Sequence, residues 1–220
     1  MENQRFLFAR LKMVESQIQH RGITNRRVLD AMRSVPRHCF VPVEYQDVAY
    51  DDHPIPIGWG QTISQPYIVA LMSSWLDLSG NETILEIGTG SGYQAAILSC
   101  LAKKVYSIEL IPELYQAARK VLHSLSINNV EVICADGSKG YQQKAPYSGI
   151  LVTAAPPEPP ASLFDQLTAD GRLVIPVGGP GVQVLQVWTH QTGSWQADSI
   201  LPVAFVPLRG KAGWSDSDWS

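Results

Sequence analysis

The chain has 220 residues, of which 45% are apolar and 17% charged, and its formal net charge is −3. This length and composition are typical of one folded domain with a sizeable core and exclude a disordered chain. The acidic balance argues against a nucleic-acid partner, because such binding draws much of its affinity from Lys and Arg pairing with phosphates.

The cysteines, the histidines and the N-terminus favour a cytoplasmic protein without a metal. Cys39, Cys100 and Cys134 form no CxxC pair, which fits neither a disulfide framework nor a zinc site. We therefore expect three buried thiols in a reducing compartment. The histidines lack metal-ligand spacing. The N-terminal MENQRFLFARLK is too polar for a signal peptide, and no stretch approaches the roughly 18 apolar residues of a membrane span.

Two helices are predicted near the N-terminus. The first spans Phe6 to Ile18, where apolar residues at spacings of four, three and four form one stripe, namely Leu7, Leu11, Val14 and Ile18. The second has Thr24 as its N-cap and ends before Pro36. Its predicted inward residues are Val28, Leu29 and Met32.

Prolines and glycines interrupt residues 41–64, which predicts loops and short extended pieces. Pro66 suits the first turn of a helix that runs to about Leu76. We expect residues 1–65 to form N-terminal helices and a loop, residues 66–180 the core, and residues 181–220 antiparallel strands and a tail. Together these parts form a single domain.

After Gly80, short apolar runs alternate with helical patterns. The runs read as strands of a parallel sheet covered on both faces, at residues 83–88, 104–110, 130–135, 148–155 and 171–178. Helices are predicted at residues 93–101, 112–125 and 161–167. This alternation implies a doubly wound, Rossmann-like α/β sheet. Two further runs, 182–190 and 199–208, flank a Thr192-Gly193 turn and predict antiparallel strands at the sheet edge.

A glycine-rich turn follows the first strand of this core, in the sequence LEIGTGSGY (85–93). Gly88, Gly90 and Gly92 let the backbone turn tightly and approach a ligand, while the next helix offers free N–H groups to an anion. The spacing is G-x-G-x-G. The nicotinamide fingerprint, G-x-G-x-x-G, would place its third glycine at Tyr93.

Two acidic residues follow the next two strands. Glu109 closes the second strand 19 positions after Gly90, about where open α/β sheets hold a ribose. Asp136, followed by Gly137, lies after the third strand, where it can reach a base or an exocyclic amine. Either acid alone could be a solvated strand end or a turn former. Three such features at successive strand ends predict one ligand site.

The glycine loop and the two acids resemble class I S-adenosylmethionine-dependent methyltransferases. Further segments resemble the protein-L-isoaspartate O-methyltransferase family, from about Phe6 to Leu208: residues 35–42, 55–58, 60–66, 86–96, 106–114, 152–160, 171–178 and 205–208. The segment GQTISQP (60–66) is the one that separates this family from its relatives.

The resemblance implies transfer of a methyl group from S-adenosyl-L-methionine to the free α-carboxylate of an L-isoaspartyl residue in a damaged protein. The ester then collapses to a succinimide, which opens partly to aspartate, so the protein repairs its partner. By the same resemblance Ser64 is the active-site serine, with Thr62 and Ile63 lining the cofactor and the acceptor. The other implied cofactor-binding residues are Glu86, Gly88, Gly90, Glu109, Leu110, Asp136 and Gly137.

The chemistry fits a serine that orients its substrate. A carboxylate is ionised at pH 7 and is already the nucleophile, so no strong base is required. Catalysis is then mainly alignment with water excluded. No His/Asp pair is evident beside Ser64, so a covalent role is not expected. The alternative role for Ser64 is an N-cap two residues before Pro66.

Three alternatives remain at this point. One is a methyltransferase of the same fold that modifies an aspartate in a dedicated peptide, and another is a non-catalytic adaptor for damaged proteins, for which only the tail SDSDWS (215–220) is available. A nicotinamide oxidoreductase is disfavoured by Tyr93. Trp59, Cys39 and Arg209 depart from the family pattern, as do Gly210 and Trp214, which leaves open the side chains flanking the substrate. We expect a monomer.

Overall fold

The N-terminal residues form helices and a hairpin in this computed structural model, which describes residues 4–215 and 217. Helix α1 (Gln4–Met13) continues through a π-helical turn at Val14–Ile18 and is followed by α2 (Arg26–Ser34). Two 3-10 segments come next, Arg37–Phe40 and Val43–Val48. Strands β1 (Ile55–Gly58) and β2 (Gln61–Ile63) then pair antiparallel. Of the tail SDSDWS, only residues 215 and 217 are among the described ones.

The inward face of α1 differs from the predicted stripe. Val14 and Ile18 are fully buried as predicted, but Leu7 and Leu11 are 40% and 44% exposed. Arg10 takes an inward position instead, because its Nε donates to a backbone carbonyl of α2 at 2.6 Å. A pattern of apolar residues alone could not reveal this inward arginine.

Helix α2 begins one residue later than predicted. Its N-cap is Asn25, whose side-chain oxygen accepts from the Val28 N–H at 3.3 Å, and not Thr24. Asparagine and threonine both serve as caps, so two adjacent candidates are not separated by residue type. The predicted inward residues Val28, Leu29 and Met32 are all buried.

A seven-stranded sheet carries the core of the protein. Its order is β5-β4-β3-β6-β7-β8-β9, formed by β3 (Thr83–Ile87), β4 (Lys104–Glu109), β5 (Val130–Cys134), β6 (Tyr147–Val152), β7 (Leu167–Gly179), β8 (Val182–Gln191) and β9 (Ser194–Val203). The first five strands in this order are parallel, and β8 and β9 are antiparallel. The predicted doubly wound sheet with antiparallel C-terminal strands is confirmed.

Helices flank the sheet on both faces. They are α3 (Pro66–Trp75), α4 (Tyr93–Leu101), α5 (Pro112–Ser124) and α6 (Ala161–Phe164). The prediction of a helix to Leu167 was wrong, because Leu167 already pairs with Tyr147 as the first residue of β7. The chain is already bonded to β6 one residue earlier, because the backbone oxygen of Gln166 accepts from the Tyr147 N–H at 2.8 Å.

Two hydrophobic cores lie on opposite faces of the sheet. The neighbouring residues Ile84 and Leu85 belong to different cores, because successive side chains of a strand point to opposite faces. Strand β5 is an edge strand with no fully buried residue, so it departs from the expected coverage on both faces. The core that contains Ile84 also receives the buried residues of α1 and α2, which ties the N-terminal helices to the sheet.

The expectation of three buried thiols was wrong for two of the cysteines. Cys100 and Cys134 are exposed, Cys39 is partly buried, and none of the three forms a disulfide bond. Cys134 ends the edge strand, and Cys100 lies in the last turn of α4, where neighbours cover little of either. No helix in the described part of the chain is long and apolar enough to span a membrane. Residues 4–215 and 217 contain no group of three or more potential metal ligands.

Candidate active site

An open cavity, the main cavity, lies at the carboxyl ends of β3, β4 and β6, the edge at which open α/β sheets bind ligands. It encloses about 880 Å³, including solvent at its mouth. Five segments contribute its wall around Gly137, namely residues 61–64, 87–94, 108–111, 153–154 and 206–209. Eight of the ten predicted site residues line it: Thr62, Ile63, Ser64, Gly88, Gly90, Glu109, Leu110 and Gly137.

The glycine loop between β3 and α4 requires its glycines. Gly88, Gly90 and Gly92 have φ values of +95°, +52° and +87°, in the left-handed region that favours glycine. A Cβ at Gly88 would also overlap the hydroxyl of Thr153, which donates to the Gly88 carbonyl at 2.5 Å. The loop therefore presents bare backbone to the cavity, and the first turn of α4 borders it through Tyr93.

Glu109 fixes the floor of the main cavity. It is 6% exposed, and its Oε2 accepts from the Gly90 N–H at 2.8 Å while its Oε1 accepts from the Ile111 N–H at 2.9 Å. One carboxylate thus joins the glycine loop to the start of α5. Because an ionised carboxylate has about four acceptor positions, Glu109 keeps acceptor capacity for a ligand.

Glu86 does not line the main cavity. It is fully buried behind the glycine loop, where one oxygen accepts from the Ser107 hydroxyl and the other has no hydrogen-bond partner. Ser107 also hydrogen-bonds the hydroxyl of Thr89 at 2.5 Å. Burial, together with the nearby charge of Glu109, raises the pKa of Glu86 to about 8. Glu86 therefore contacts the loop from behind, through Ser107.

Asp136 also lies outside the wall of the main cavity. Its Oδ1 accepts from the Ser138 N–H at 2.9 Å and its Oδ2 from the Lys211 N–H at 2.9 Å. Burial works against ionisation of Asp136, but these backbone donors outweigh it and lower the pKa. Ser138 accepts a further bond from the Ala212 N–H at 3.0 Å. Asp136 thereby holds the C-terminal segment, residues 206–214, in place. Of the neighbours Asp136 and Gly137, only Gly137 lines the main cavity.

The C-terminal segment forms one wall of the main cavity at residues 206–209. It is fixed to the end of β6 through Ala155, whose N–H donates to the Val206 carbonyl and whose carbonyl accepts from the Leu208 N–H, both at 2.9 Å. Trp214 donates its indole N–H to the same Ala155 carbonyl at 3.0 Å. These bonds hold the segment against the end of β6, where it borders the cavity.

The Ser64 hydroxyl makes no hydrogen bond with any described residue. The N-cap of α3 is Gln65, and no side chain caps that helix, so Ser64 does not have the alternative capping role. It follows the hairpin of β1 and β2, whose tip carries Trp59 at a φ of +50° with 55% of its surface exposed. Ser64 therefore presents an uncommitted hydroxyl to the cavity.

A second cavity, the side groove, opens beside the first. It encloses about 1120 Å³, including open solvent, and runs along residues 201–206 with Arg21, Pro54, Gln65 and Ile68 on its other side. Four residues line both spaces: Thr62, Ser64, Thr153 and Val206. We call these four residues the shared wall. Two ligands could therefore approach each other across Ser64.

The matching family model is that of protein-L-isoaspartate(D-aspartate) O-methyltransferase, and it covers residues 9–213. The chain belongs to this family. Enzymes named protein-L-isoaspartate O-methyltransferase from Methanoculleus marisnigri and, as isoform 2, from Marinobacter nauticus are 51% and 52% identical to the chain. Each alignment covers 93% of the chain, together with 93% and 94% of the respective relatives.

Solved structures of this family share the fold. One structure named protein-L-isoaspartate O-methyltransferase superposes with a TM-score of 0.83 at 28% identity, covering 93% of the chain and 67% of its own. A putative family member from Plasmodium falciparum, solved with S-adenosyl-L-homocysteine, superposes with a TM-score of 0.79 at 24% identity over 91% of the chain and 98% of its own. The predicted fold, enzyme class and repair methyl transfer are thus confirmed.

Several cavity residues of this family member were not predicted as site residues. They are Gln61, Val69, Ile87, Thr89, Ser91, Tyr93, Gln94, Ile108, Ile111, Thr153, Ala154 and residues 206–209. Thr153 and residues 206–208 lie in sequence segments that resemble the family, which was the available signal. Their shared position on one wall depends on the pairing of Ala155 with residue 207, which no local pattern encodes.

Proposed function

We propose that the chain holds S-adenosyl-L-methionine in the main cavity and the isoaspartyl segment of a damaged protein in the side groove, with the two reacting groups meeting at Ser64. The observation that supports this assignment most is the shared wall, because among the described residues only these four line both spaces. A methyl transfer needs donor and acceptor on opposite sides of one small region.

The residues of the main cavity fit this cofactor. The glycine loop offers bare backbone to a ligand at Gly88 and Gly90, both of which line the cavity. The remaining acceptor positions of Glu109 suit two ribose hydroxyls. Leu110, which is 44% exposed at the cavity, offers an apolar surface to an aromatic base. The demethylated cofactor named for the Plasmodium falciparum structure supports this proposal.

Each predicted cofactor residue has a role in this proposal. Thr62 and Ile63 border the reacting centre from the hairpin, and Gly90 holds the loop against Glu109. Glu86 supports the loop from behind, through Ser107, and does not touch the cofactor. Asp136 positions the C-terminal segment through the Lys211 N–H, so that Gly137 alone borders the base.

The chain's residues align the acceptor and exclude water. When bound, S-adenosyl-L-methionine supplies an electrophilic methyl carbon on a sulfonium sulfur, which the acceptor carboxylate attacks. The carboxylate carries no proton at pH 7, so no residue has to remove one. Ser64 donates one hydrogen bond to a carboxylate oxygen and turns the other oxygen toward the main cavity. Residues 206–209 cover the site and keep water from the reacting atoms.

The experiment measures methyl transfer from labelled S-adenosylmethionine to two peptides that differ only in one isoaspartyl or aspartyl linkage. We expect base-labile label on the isoaspartyl peptide alone. Equal label on the aspartyl peptide would show that the isoaspartyl linkage is not what the enzyme recognises, and no label on either peptide despite cofactor binding would indicate a dedicated peptide substrate or an adaptor. Either result would overturn the proposal.

Three wider assignments belong to the same proposal. We assign the chain as one domain, 1–220, because the N-terminal helices pack into a core shared with α3 and α4. We also propose that the chain acts as a monomer. The cytoplasm is its proposed location, since three cysteines without a disulfide bond suit a reducing compartment.

A further inference from the structure

Among the described residues that line the side groove, Arg21 alone carries a formal charge. The other lining residues are apolar or neutral polar, and they include Ser64. A single cation in a neutral groove is a specific signal, because nothing else lining the groove distinguishes an acidic ligand from a basic one. Arg21 lies in the N-terminal part of the chain, between α1 and α2, and has no role in the methyl transfer described above.

The guanidinium of Arg21 is held in place by its neighbours. Its central carbon lies 3.4 Å from the centre of the Tyr67 ring, and its Nη1 donates to Oδ2 of Asp52 at 2.7 Å. The backbone carbonyl of Asp52 accepts from the Gln65 amide at 2.9 Å, which connects this arrangement to the residue that follows Ser64. A group fixed in this way loses less conformational entropy when it binds a ligand.

Arg21 still has hydrogen-bond donors to offer. Its Nε and Nη2 make no hydrogen bond with a described residue, and its side chain is 43% exposed. The partner Asp52 is less exposed, at 28%, and has one oxygen buried, so the cation is the more accessible half of the pair. A planar guanidinium with two free donors matches the geometry of a carboxylate.

We infer that Arg21 is a specificity-determining residue of the side groove, which selects isoaspartyl segments carrying an acidic side chain close to the isoaspartyl residue. This inference rests on the proposed function, because it takes the side groove as the acceptor site. Basic side chains at the same position of the substrate are disfavoured by repulsion from Arg21.

The solvent exposure of Arg21 limits how strongly it can favour an acidic peptide over a basic one. Arg21 is partly neutralised by Asp52 and is accessible to water, so its attraction is screened by salt and stays modest. Arg209 lines the main cavity beyond the shared wall, and His53, which precedes Pro54 in the chain, lies 3.9 Å from Asp51. We expect a preference of about three- to tenfold in kcat/KM for glutamate over lysine, falling toward unity at high salt.

The experiment uses isoaspartyl peptides blocked at both ends, so that no terminal carboxylate competes. Glutamate, glutamine or lysine is placed in turn at each of three positions on either side of the isoaspartyl residue. The readout is the ratio of kcat/KM between the glutamate and lysine peptides at low and high salt. At one or two positions we expect glutamate to exceed glutamine and glutamine to exceed lysine.

Three variants test the assignment to Arg21. Arg21→Gln removes the cation and leaves Asp52 unpaired, so it should bring the ratio to one or below. Arg21→Glu should lower the ratio further, and Arg21→Lys should keep part of the preference for glutamate. The control is Arg119→Gln, because Arg119 also lies over a tyrosine, Tyr115, but on α5 away from both cavities. This control should keep the ratio of the parent protein.

The outcomes separate this inference from the proposed function. Equal ratios in the parent and in Arg21→Gln at every position would overturn the inference alone. A uniform loss in Arg21→Gln for all three peptides would also overturn it, because Arg21 would then act on the acceptor carboxylate itself. Absence of methyl transfer to every isoaspartyl peptide would overturn the proposed function and, with it, this selectivity.

Discussion

The main cavity and the side groove are built in different ways. The main cavity uses consecutive strand ends, a glycine loop with three left-handed residues, and a buried carboxylate bonded to backbone N–H groups. The side groove is assembled from segments as far apart as Arg21, residues 62–65 and residues 201–206, and it is neutral apart from one cation. A site for one constant ligand can be rigid, whereas a site for many protein segments needs few fixed polar contacts.

The rigidity of the main cavity is tested most severely by Gly88→Ala. The new alanine would have to keep the left-handed φ of Gly88, and its Cβ would overlap the Thr153 hydroxyl. We expect a loss of about 2–4 kcal/mol in the free energy of unfolding and at least a 30-fold weaker binding of S-adenosylhomocysteine, from strain and overlap together. Thermal unfolding and titration calorimetry measure the two effects.

The control for this change is Gly181→Ala, in the turn between β7 and β8. Gly181 also has a positive φ, of +78°, but a Cβ there meets nothing within 4 Å. Its expected cost is about 1 kcal/mol with unchanged ligand affinity. If both substitutions weakened the binding of S-adenosylhomocysteine equally, the rigid backbone at Gly88 would have no special role in ligand binding.

Glu86→Gln tests the buried support of the glycine loop through pH. The pKa of Glu86 is raised to about 8 in the folded protein, from 4.5. Between these values the folded state binds more protons than the unfolded state, so the contribution of Glu86 to stability declines as pH rises and is lowest above pH 8. Glutamine does not ionise.

The variant should therefore be more stable than the parent at pH 9 by about 2–4 kcal/mol, with the gap closing toward pH 5. Thermal unfolding over this pH range measures it. Glu131→Gln is the control, because Glu131 lies on the edge strand in an exposed pair with Lys104. A constant gap between pH 5 and 9 in Glu86→Gln would contradict a neutral buried carboxyl group.

Ser64→Ala, at the shared wall, tests whether methyl transfer to the peptide can be lowered without changing cofactor binding. Removing the hydroxyl takes away one hydrogen bond to a charged acceptor, worth about 1.5–3 kcal/mol. We expect kcat for an isoaspartyl peptide to fall roughly ten- to 100-fold while the affinity for S-adenosylhomocysteine stays within twofold. Full activity would show that the backbone of the hairpin orients the acceptor without this side chain.

Glu109→Ala should have the opposite effect to Ser64→Ala: it should weaken cofactor binding, by a smaller free energy, and leave peptide binding nearly unchanged. Loss of a charge-assisted hydrogen bond to the ribose should weaken cofactor binding by about 1–3 kcal/mol. The KM for the peptide should change little, because Glu109 lines only the main cavity. Unchanged cofactor affinity, measured by calorimetry, would remove the ribose role from Glu109.

The sequence predicted those parts of the fold that depend on local signals. Helix α4 has the predicted limits, Tyr93 to Leu101, because Gly92 before it and the change of pattern after it are encoded within a few residues. The turn at Thr192-Gly193 follows the same logic, since both residues have positive φ. The parallel pairing of the core strands followed from the alternation of strands and helices.

Side-chain direction at the site was less predictable. Glu86 and Glu109 both lie near strand ends, yet one is sealed behind the glycine loop and the other borders the cavity. Asp136 turns toward Lys211, 75 positions away, and such a partner leaves no trace in local spacing. The side groove was not foreseen at all, because Arg21 and residue 205 are brought together only by the packing of the whole chain.

The shared wall has a consequence for inhibitor chemistry. Among the residues that the structure describes, four line both the main cavity and the side groove: Thr62, Ser64, Thr153 and Val206. With the two ligands placed as proposed, a short linker at this point would join a nucleoside in one space to a peptide in the other. A compound of this kind, an adenosyl group tethered at the sulfur position to an isoaspartyl peptide, would occupy both sites at once. Because its two parts are linked, it would bind more tightly than either part alone, and its peptide part would be selected by the side groove.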